Sequence, residues 1–117
     1  ATDVLIMILP GNESTRHALN TERLAQLAPG ALLVNVGRGI TVDQEALEAA
    51  LRSGRLAGAA IDVTEPEPLP SDSPLWDLPT LFNTPHVAGG RPQHADRLIA
   101  DNVAALEAGT PLRNRLR

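Results

Sequence analysis

The sequence predicts an open, mainly parallel α/β sheet, and three observations lead there. Short apolar runs at residues 4–9, 31–36 and 56–61 have strand length and no alternation, which suits strands buried on both faces of a parallel sheet. Between them lie helical signals, above all the stripe Ala46, Leu47, Ala50 and Leu51. A Gly37-Arg38-Gly39 corner joins the second run to that helix, the kind of strand-to-helix junction where open α/β sheets place their ligands.

Taken in order, the first strand spans residues 4–9 and ends at Pro10-Gly11-Asn12. A polar loop follows to Asn20, and Asn20-Thr21 caps a short helix through Leu24 and Leu27 that Pro29-Gly30 stops. The second strand is residues 31–36. The next helix starts at Asp43, or at Thr41, whose spacing to Gln44 fits a capping box; Gly54 ends it. Residues 56–61 form the third strand and lead into Asp62-Val63. Residues 65–79 carry Pro66, Pro68, Pro70, Pro74 and Pro79, too many for a helix or a central strand, so a long loop is expected, anchored by Leu75-Trp76. Residues 80–83 make a brief fourth strand. The last helix opens with Pro92 near its first position, presents Ala95, Leu98, Ile99, Val103 and Leu106 on one face, and ends at Gly109-Thr110-Pro111.

At 117 residues the chain has room for one domain, and its 43% apolar content is enough to bury a core. Net charge is −4, and the ten basic residues are all Arg, clustered only as Arg113, Arg115 and Arg117. A nucleic-acid partner would call for a basic face, so none is expected. The absence of Cys rules out disulfides and thiolate metal sites. The longest apolar run, residues 4–9, falls far short of the roughly 20 residues of a membrane helix. Ala1-Thr2-Asp3 gives almost no lead-in to a strand and the only Met is Met7, inside it, so the chain reads as cut from something longer.

Three polar groups each follow an expected strand by a few residues: Arg38, the 62–67 segment and His86. With right-handed crossovers, the strands' carboxyl ends share one edge, and topology brings the three to the same rim. Arg offers a bidentate fork for a carboxylate or a polarised carbonyl. His gives or takes a proton, and a nearby carboxylate fixes its tautomer. The two glycines beside Arg38 let the backbone approach a bound molecule closely. Plainer roles stay open at this point: a surface Arg38, solvated Glu65 and Glu67, and a structural His86. No pair has metal-ligand spacing, and there is no Gly-x-Ser-x-Gly elbow. His17 and Asn102 are expected to be structural, Asn102 bonding to a neighbouring loop.

Four segments in register resemble the D-isomer-specific 2-hydroxyacid dehydrogenases: Leu9-Pro10 with Thr15-Arg16-His17; Leu33-Val34-Asn35-Val36-Gly37-Arg38-Gly39; Gly58-Ala59-Ala60-Ile61-Asp62-Val63-Thr64-Glu65-Pro66-Glu67-Pro68-Leu69; and Thr84-Pro85-His86-Val87-Ala88-Gly89. The resemblance reaches Gly109-Thr110-Pro111-Leu112. It implies the C-terminal part of a Rossmann-type doubly wound parallel sheet with a long C-terminal helix. Arg38, Glu67 and His86 would then be catalytic. Arg38 would hold the substrate's carboxylate and carbonyl, and His86 would protonate the carbonyl oxygen as hydride arrives from the nicotinamide. Glu67 would pair with His86 and keep its pKa near working pH; the Asp62-to-Glu67 spacing selects it over Glu65. The cofactor, NAD or NADP, would meet Leu9, Pro10, Thr15, Val36, Gly37, Arg38, Asp62, His86, Val87, Ala88 and Gly89, with Asp62 at the carboxamide end. Ser73-Pro74-Leu75-Trp76 and Gly90-Arg91-Pro92 are similar to the glyoxylate/hydroxypyruvate reductase branch.

The family's Gly-x-Gly-x-x-Gly turn and its ribose-reading residue would lie upstream of Ala1. Residues 1–117 therefore correspond to a partial nucleotide-binding domain without its N-terminal half or the substrate domain, and residues 91–108 to a helix returning toward that domain. As a full-length protein, the resemblance implies a cytoplasmic, homodimeric oxidoreductase acting on a small 2-ketoacid or D-2-hydroxyacid, with the 117 residues alone inactive. The alternatives are an NAD(H)-sensing or protein-binding module of the same fold, or an inactive proteolytic fragment. A half-sheet would leave an open edge and an uncovered apolar face.

Overall fold

The computed structural model describes residues 2–90 and 93–114. Four strands, β1 (Val4–Met7), β2 (Ala31–Asn35), β3 (Leu56–Ile61) and β4 (Leu81–Asn83), form one sheet in the order β1-β2-β3-β4, every pair parallel. The α/β class is as expected. Strand order runs in sequence without reversal. Right-handed crossovers then put helices α1 (Thr21–Gln26) and α2 (Gln44–Arg52) on the same face of the sheet.

That topology decides where the core lies. Leu24 of α1 and Ala46, Leu47, Ala50 and Leu51 of α2 pack over Met7, Leu33, Ala59 and Ile61 of the strands. Burying a side chain such as Leu47 contributes about 2 kcal/mol. The opposite face carries Val4, Ile6, Leu32 and Phe82 and is exposed, Ile6 by 62% and Phe82 by 67%. The register Val4↔Leu32, Ile6↔Val34 and Ala60↔Phe82 places them on one side. Burial of the first strand on both faces is therefore corrected, and the expected uncovered apolar face is present among the described residues. A continuous apolar run reads the same whether or not a second layer covers it.

Local signals set most boundaries. Asn20 caps α1 by accepting from the Arg23 amide. Asp43 caps α2, its Oδ1 accepting from the amides of Glu45 and Ala46. Thr41 lies instead in a 3-10 turn, Gly39–Thr41, and spends its hydroxyl on the Arg38 carbonyl at 2.6 Å. Gly54, at φ +71°, ends α2 in the left-handed conformation. Strands β1 and β2 stop earlier than expected, leaving Ile8, Leu9 and Val36 on the loops beyond them. In the long loop Leu69, Leu75 and Leu78 are buried and make the anchor. Trp76 is corrected: it is exposed and its Nε1 donates to the Pro70 carbonyl at 2.8 Å, within its own loop.

The last helix, α3, is Ala95–Glu107, preceded by His94 at φ +60°. Its expected opening at Pro92 and the residues Arg91, Arg115 and Arg117 lie outside the described residues. None of its residues is buried, and Ile99, Val103 and Leu106 are exposed. Asn102 bonds to the following segment as expected: its Oδ1 accepts from the Arg113 amide at 2.8 Å and its Nδ2 donates to the Arg113 carbonyl. The described residues extend over 60 × 31 × 23 Å. None of their helices is long and apolar enough to cross a membrane.

Candidate active site

Three loops meet at the carboxyl edge of the sheet, and two glycines let them touch. A Cβ on Gly37 would lie 2.7 Å from the Leu9 carbonyl oxygen, so the loop after β2 presses on the loop after β1. A Cβ on Gly39 would lie 2.0 Å from the Thr64 carbonyl oxygen, so the same corner also presses on the loop after β3. Both glycines serve close backbone contact within the protein. The closeness to a bound molecule expected of them is not what these contacts provide. Arg38 stands between them, exposed on the rim, with Nη1 donating to the Gly37 carbonyl at 2.6 Å.

The main chain under Arg38 is fixed from below by a residue that sequence reading gave no role. Asn35, at the end of β2, is buried; its Oδ1 accepts from the Gly37 amide at 3.1 Å and its Nδ2 donates to the Arg38 carbonyl at 3.2 Å. A polar residue closing an apolar strand was the available signal, since a buried amide must find partners.

His86 and Glu67 meet on the same rim, with Nδ1 2.5 Å from Oε1. A carboxylate offers only acceptors, so Nδ1 carries the shared proton, and Nε2 is not engaged by Glu67. The side chains are 45% and 39% exposed, open to a substrate. His86 has φ +55°, a left-handed conformation that costs an L-residue about 1 kcal/mol and needs support from its surroundings.

Asp62 supplies that support. Its Oδ1 accepts from the Thr84 hydroxyl at 2.5 Å and the Val87 amide at 2.8 Å, and its Oδ2 accepts from the Ala88 amide at 2.8 Å. The carboxylate thereby ties both flanks of His86 to the end of β3. The Thr84 hydroxyl foremost, then the Ala88 and Val87 amides and the charge of His86, hold the Asp62 carboxyl below its ordinary value of 3.8, although burial pushes the other way. Asp62 is thus largely buried, at the wall of the cleft that opens beside His86 and Glu67.

Glu65 is set apart from the pair. Its side chain faces Arg16 at 3.4 Å, across to the loop after β1. The peptide bonds Glu65–Pro66 and Glu67–Pro68 are both cis. A cleft of about 500 Å³ opens beside the pair, lined by Asp62, Glu67, Trp76, Asn83 and His86 among others. Arg38 does not line this cleft; it sits on the neighbouring loop.

Of the other residues expected at a cofactor, Leu9, Val36 and Val87 expose apolar side chains at this edge. Pro10, Ala88 and Gly89 are also exposed, while Gly37 is buried. Thr15 is committed to its own loop, its hydroxyl donating to the Pro10 carbonyl at 2.7 Å and accepting from the Asn12 amide at 3.0 Å. His17 lies on the loop before α1, its amide donating to the Ile40 carbonyl at 2.8 Å. Among the described residues no group of three His, Asp or Glu is placed to hold a metal ion.

Comparison with known proteins gives this geometry a context. Residues 1–88 match the family model described as D-isomer specific 2-hydroxyacid dehydrogenase, NAD binding domain. The chain is similar to glyoxylate/hydroxypyruvate reductase A of Klebsiella pneumoniae subsp. pneumoniae, 46% identical over 112 residues that make up 95% of this chain and 36% of that protein. It therefore spans about a third of the length of such relatives. Among solved structures it resembles a D-isomer specific 2-hydroxyacid dehydrogenase from Xanthobacter autotrophicus in complex with NADPH and MES, at TM-score 0.88 and 45% identity over 98% of this chain and 48% of that one. It also resembles the NADPH-dependent glyoxylate/hydroxypyruvate reductase of Sinorhizobium meliloti in complex with NADP and sulfate, at TM-score 0.89 and 34% identity over 98% of this chain and 38% of that one.

Proposed function

This chain belongs to the D-isomer specific 2-hydroxyacid dehydrogenases, matching their NAD binding domain, and from that premise we propose that it forms the catalytic edge of an NAD(P)-dependent reductase of small 2-ketoacids. The observation that carries the reading is the 2.5 Å pairing of His86 with Glu67 at the carboxyl edge of the sheet. Small 2-ketoacids such as glyoxylate and hydroxypyruvate are the substrates to try first, because relatives bear those names.

The residues fit a nicotinamide cofactor. Leu9, Val36 and Val87 are 40%, 37% and 64% exposed at the carboxyl edge, an apolar surface of the kind a flat ring covers. Asp62 retains lone-pair capacity on Oδ2 for an amide donor, since only the Ala88 amide is bonded there. When bound, the cofactor supplies the hydride that reduces the carbonyl carbon.

The chain's own residues do the rest. Arg38 binds the substrate carboxylate and polarises the adjacent carbonyl through its fork of N–H donors. His86 gives a proton from Nε2 to the carbonyl oxygen in reduction and takes it back in the reverse direction. Glu67 holds the ring orientation through Nδ1 and offsets the imidazolium charge. The order of events follows from the chemistry: a proton is useful only as negative charge develops on oxygen, so the acid must already be in place.

We place the rest of the nucleotide-binding domain and the substrate-closing domain outside these residues, with α3 leading toward them, and infer a homodimer for the full-length protein. The test exchanges these residues for the matching segment of the Klebsiella relative and measures NADPH-dependent turnover over a 2-ketoacid panel. Turnover that survives Arg38→Ala or His86→Ala near its starting level would sink the assignment.

A further inference from the structure

The expected capping box at Thr41 and Gln44 does not form, and what Gln44 does instead carries an inference. Gln44 is the first residue of α2. Its side chain turns away from its own helix and pairs with both main-chain polar groups of Glu65: Oε1 accepts from the Glu65 amide at 3.0 Å and Nε2 donates to the Glu65 carbonyl at 2.7 Å. The primary amide reproduces one rung of a β-ladder across 21 residues of sequence. Only a Gln or Asn side chain presents a donor and an acceptor side by side in this way.

The clamped residue stands two positions before Glu67. Around it, the Thr64 hydroxyl donates to the Pro66 carbonyl at 2.9 Å, so the residues on both sides of Glu65 are tied together. Arg16 adds a looser tie to the Glu65 side chain from the loop after β1. Glu67 itself has its carboxylate on His86. In this proline-rich segment few amides are available for a ladder, and the two prolines at 66 and 68 donate none. The Gln44 amide ties the Glu65 main chain to the start of α2, ahead of the buried anchor at Leu69.

We propose that Gln44 is a positioning residue: by clamping the Glu65 main chain to the start of α2 it holds Glu67 at hydrogen-bond distance from His86. This rests on the roles given above to Glu67 and His86 and adds to them a specific dependence on α2. Gln44 does not line the cleft beside His86 and Glu67. Its contribution reaches the reaction only through Glu67, which makes it separable from a general loosening of the fold.

The experiment combines kinetics in the exchanged reductase with a proton spectrum of His86 in the same protein. Gln44→Ala should lower kcat about tenfold with KM within about twofold, the mark of a misplaced catalytic group rather than lost substrate binding. In a Glu67→Gln background the same substitution should add nothing. The exchange of the His86 Nδ1 proton with water should speed up about tenfold. Gln44→Glu is the second variant: an acidic residue at the helix start favours α2, so the fold is kept while the donor to the Glu65 carbonyl is lost. It should move kcat and the His86 proton in the same direction. An unchanged kcat and unchanged proton exchange in both variants would overturn the proposal, as would an equal loss with and without Glu67. If Glu67→Gln alone left kcat untouched, the catalytic reading would fail, while the proton exchange would still decide whether Gln44 positions Glu67.

Discussion

The Glu67 carboxylate lies 2.5 Å from Nδ1 of His86, although the two residues stand 19 apart in sequence and on different loops. Each is delivered by a parallel strand of the same sheet, β3 and β4, whose carboxyl ends face one way. Glu67→Gln keeps the shape and an acceptor oxygen but replaces the other acceptor with a donor and removes the negative charge facing the ring. The expected result is a fall in kcat of about a hundredfold with KM little changed, since general acid–base catalysis is worth that much or more. Steady-state kinetics of the exchanged reductase checks it.

Gly39 tests how the rim is assembled. A Cβ there would meet the Thr64 carbonyl oxygen at 2.0 Å, main chain that has no rotamer to swing aside. Gly39→Ala should cost more than about 3 kcal/mol, the range of the larger point-mutant effects. Gly54→Ala meets open space and only its φ of +71° is strained, so about 1 kcal/mol is expected. Urea unfolding of the two variants should rank them in that order.

Asp62 sets an acid limb. Its folded pKa is depressed below 3.8, so its contribution to stability is complete above that ordinary value and is lost as pH falls through the lower, folded one. Asp62→Asn should therefore remove part of the loss of stability expected below about pH 4. It should also free the His86 loop, because an amide cannot accept from Thr84, Val87 and Ala88 together. Unfolding curves at about pH 6 and about pH 3 read the first effect, and amide exchange at Val87 and Ala88 reads the second.

Much of this was legible in the residues. The β3 boundaries, the Asn20 and Asp43 caps and the Gly54 stop follow from apolar runs and turn chemistry that no tertiary contact overrides. The rim was legible too, because parallel strands with right-handed crossovers must share an edge. The failures have physical causes. Thr41 and Gln44 had the spacing of a capping box, but Thr41 is drawn back to the Arg38 carbonyl within its own 3-10 turn and Gln44 to Glu65, 21 residues along the chain. Trp76 looked like an anchor by size, yet its indole N–H is satisfied at Pro70 on the surface, and the smaller Leu75 takes the buried position. Asn35 sat inside a recognised motif as the polar residue closing an apolar strand, a signal passed over, and its burial and two bonds show that it builds the seat of Arg38.

Cofactor affinity should depend on more than these residues. No Gly-x-Gly-x-x-Gly sequence occurs in the 117 residues; the nearest, from Gly37, has Val42 in the last place. Without such a turn at a helix N-terminus the pyrophosphate lacks its seat. Calorimetry of the 117-residue chain with NADH should give weak binding or none, and tight micromolar binding would refute this.

The central claim is that His86, held by Glu67, is the proton donor of a 2-ketoacid reductase. The measurement that bears on it most directly is single-turnover reduction by His86→Ala in the exchanged reductase, with NADPH already bound. With NADPH at saturating concentration, the expected result is a reduction step slowed by at least about a hundredfold. A reduction step close to that of the unsubstituted protein would contradict the claim.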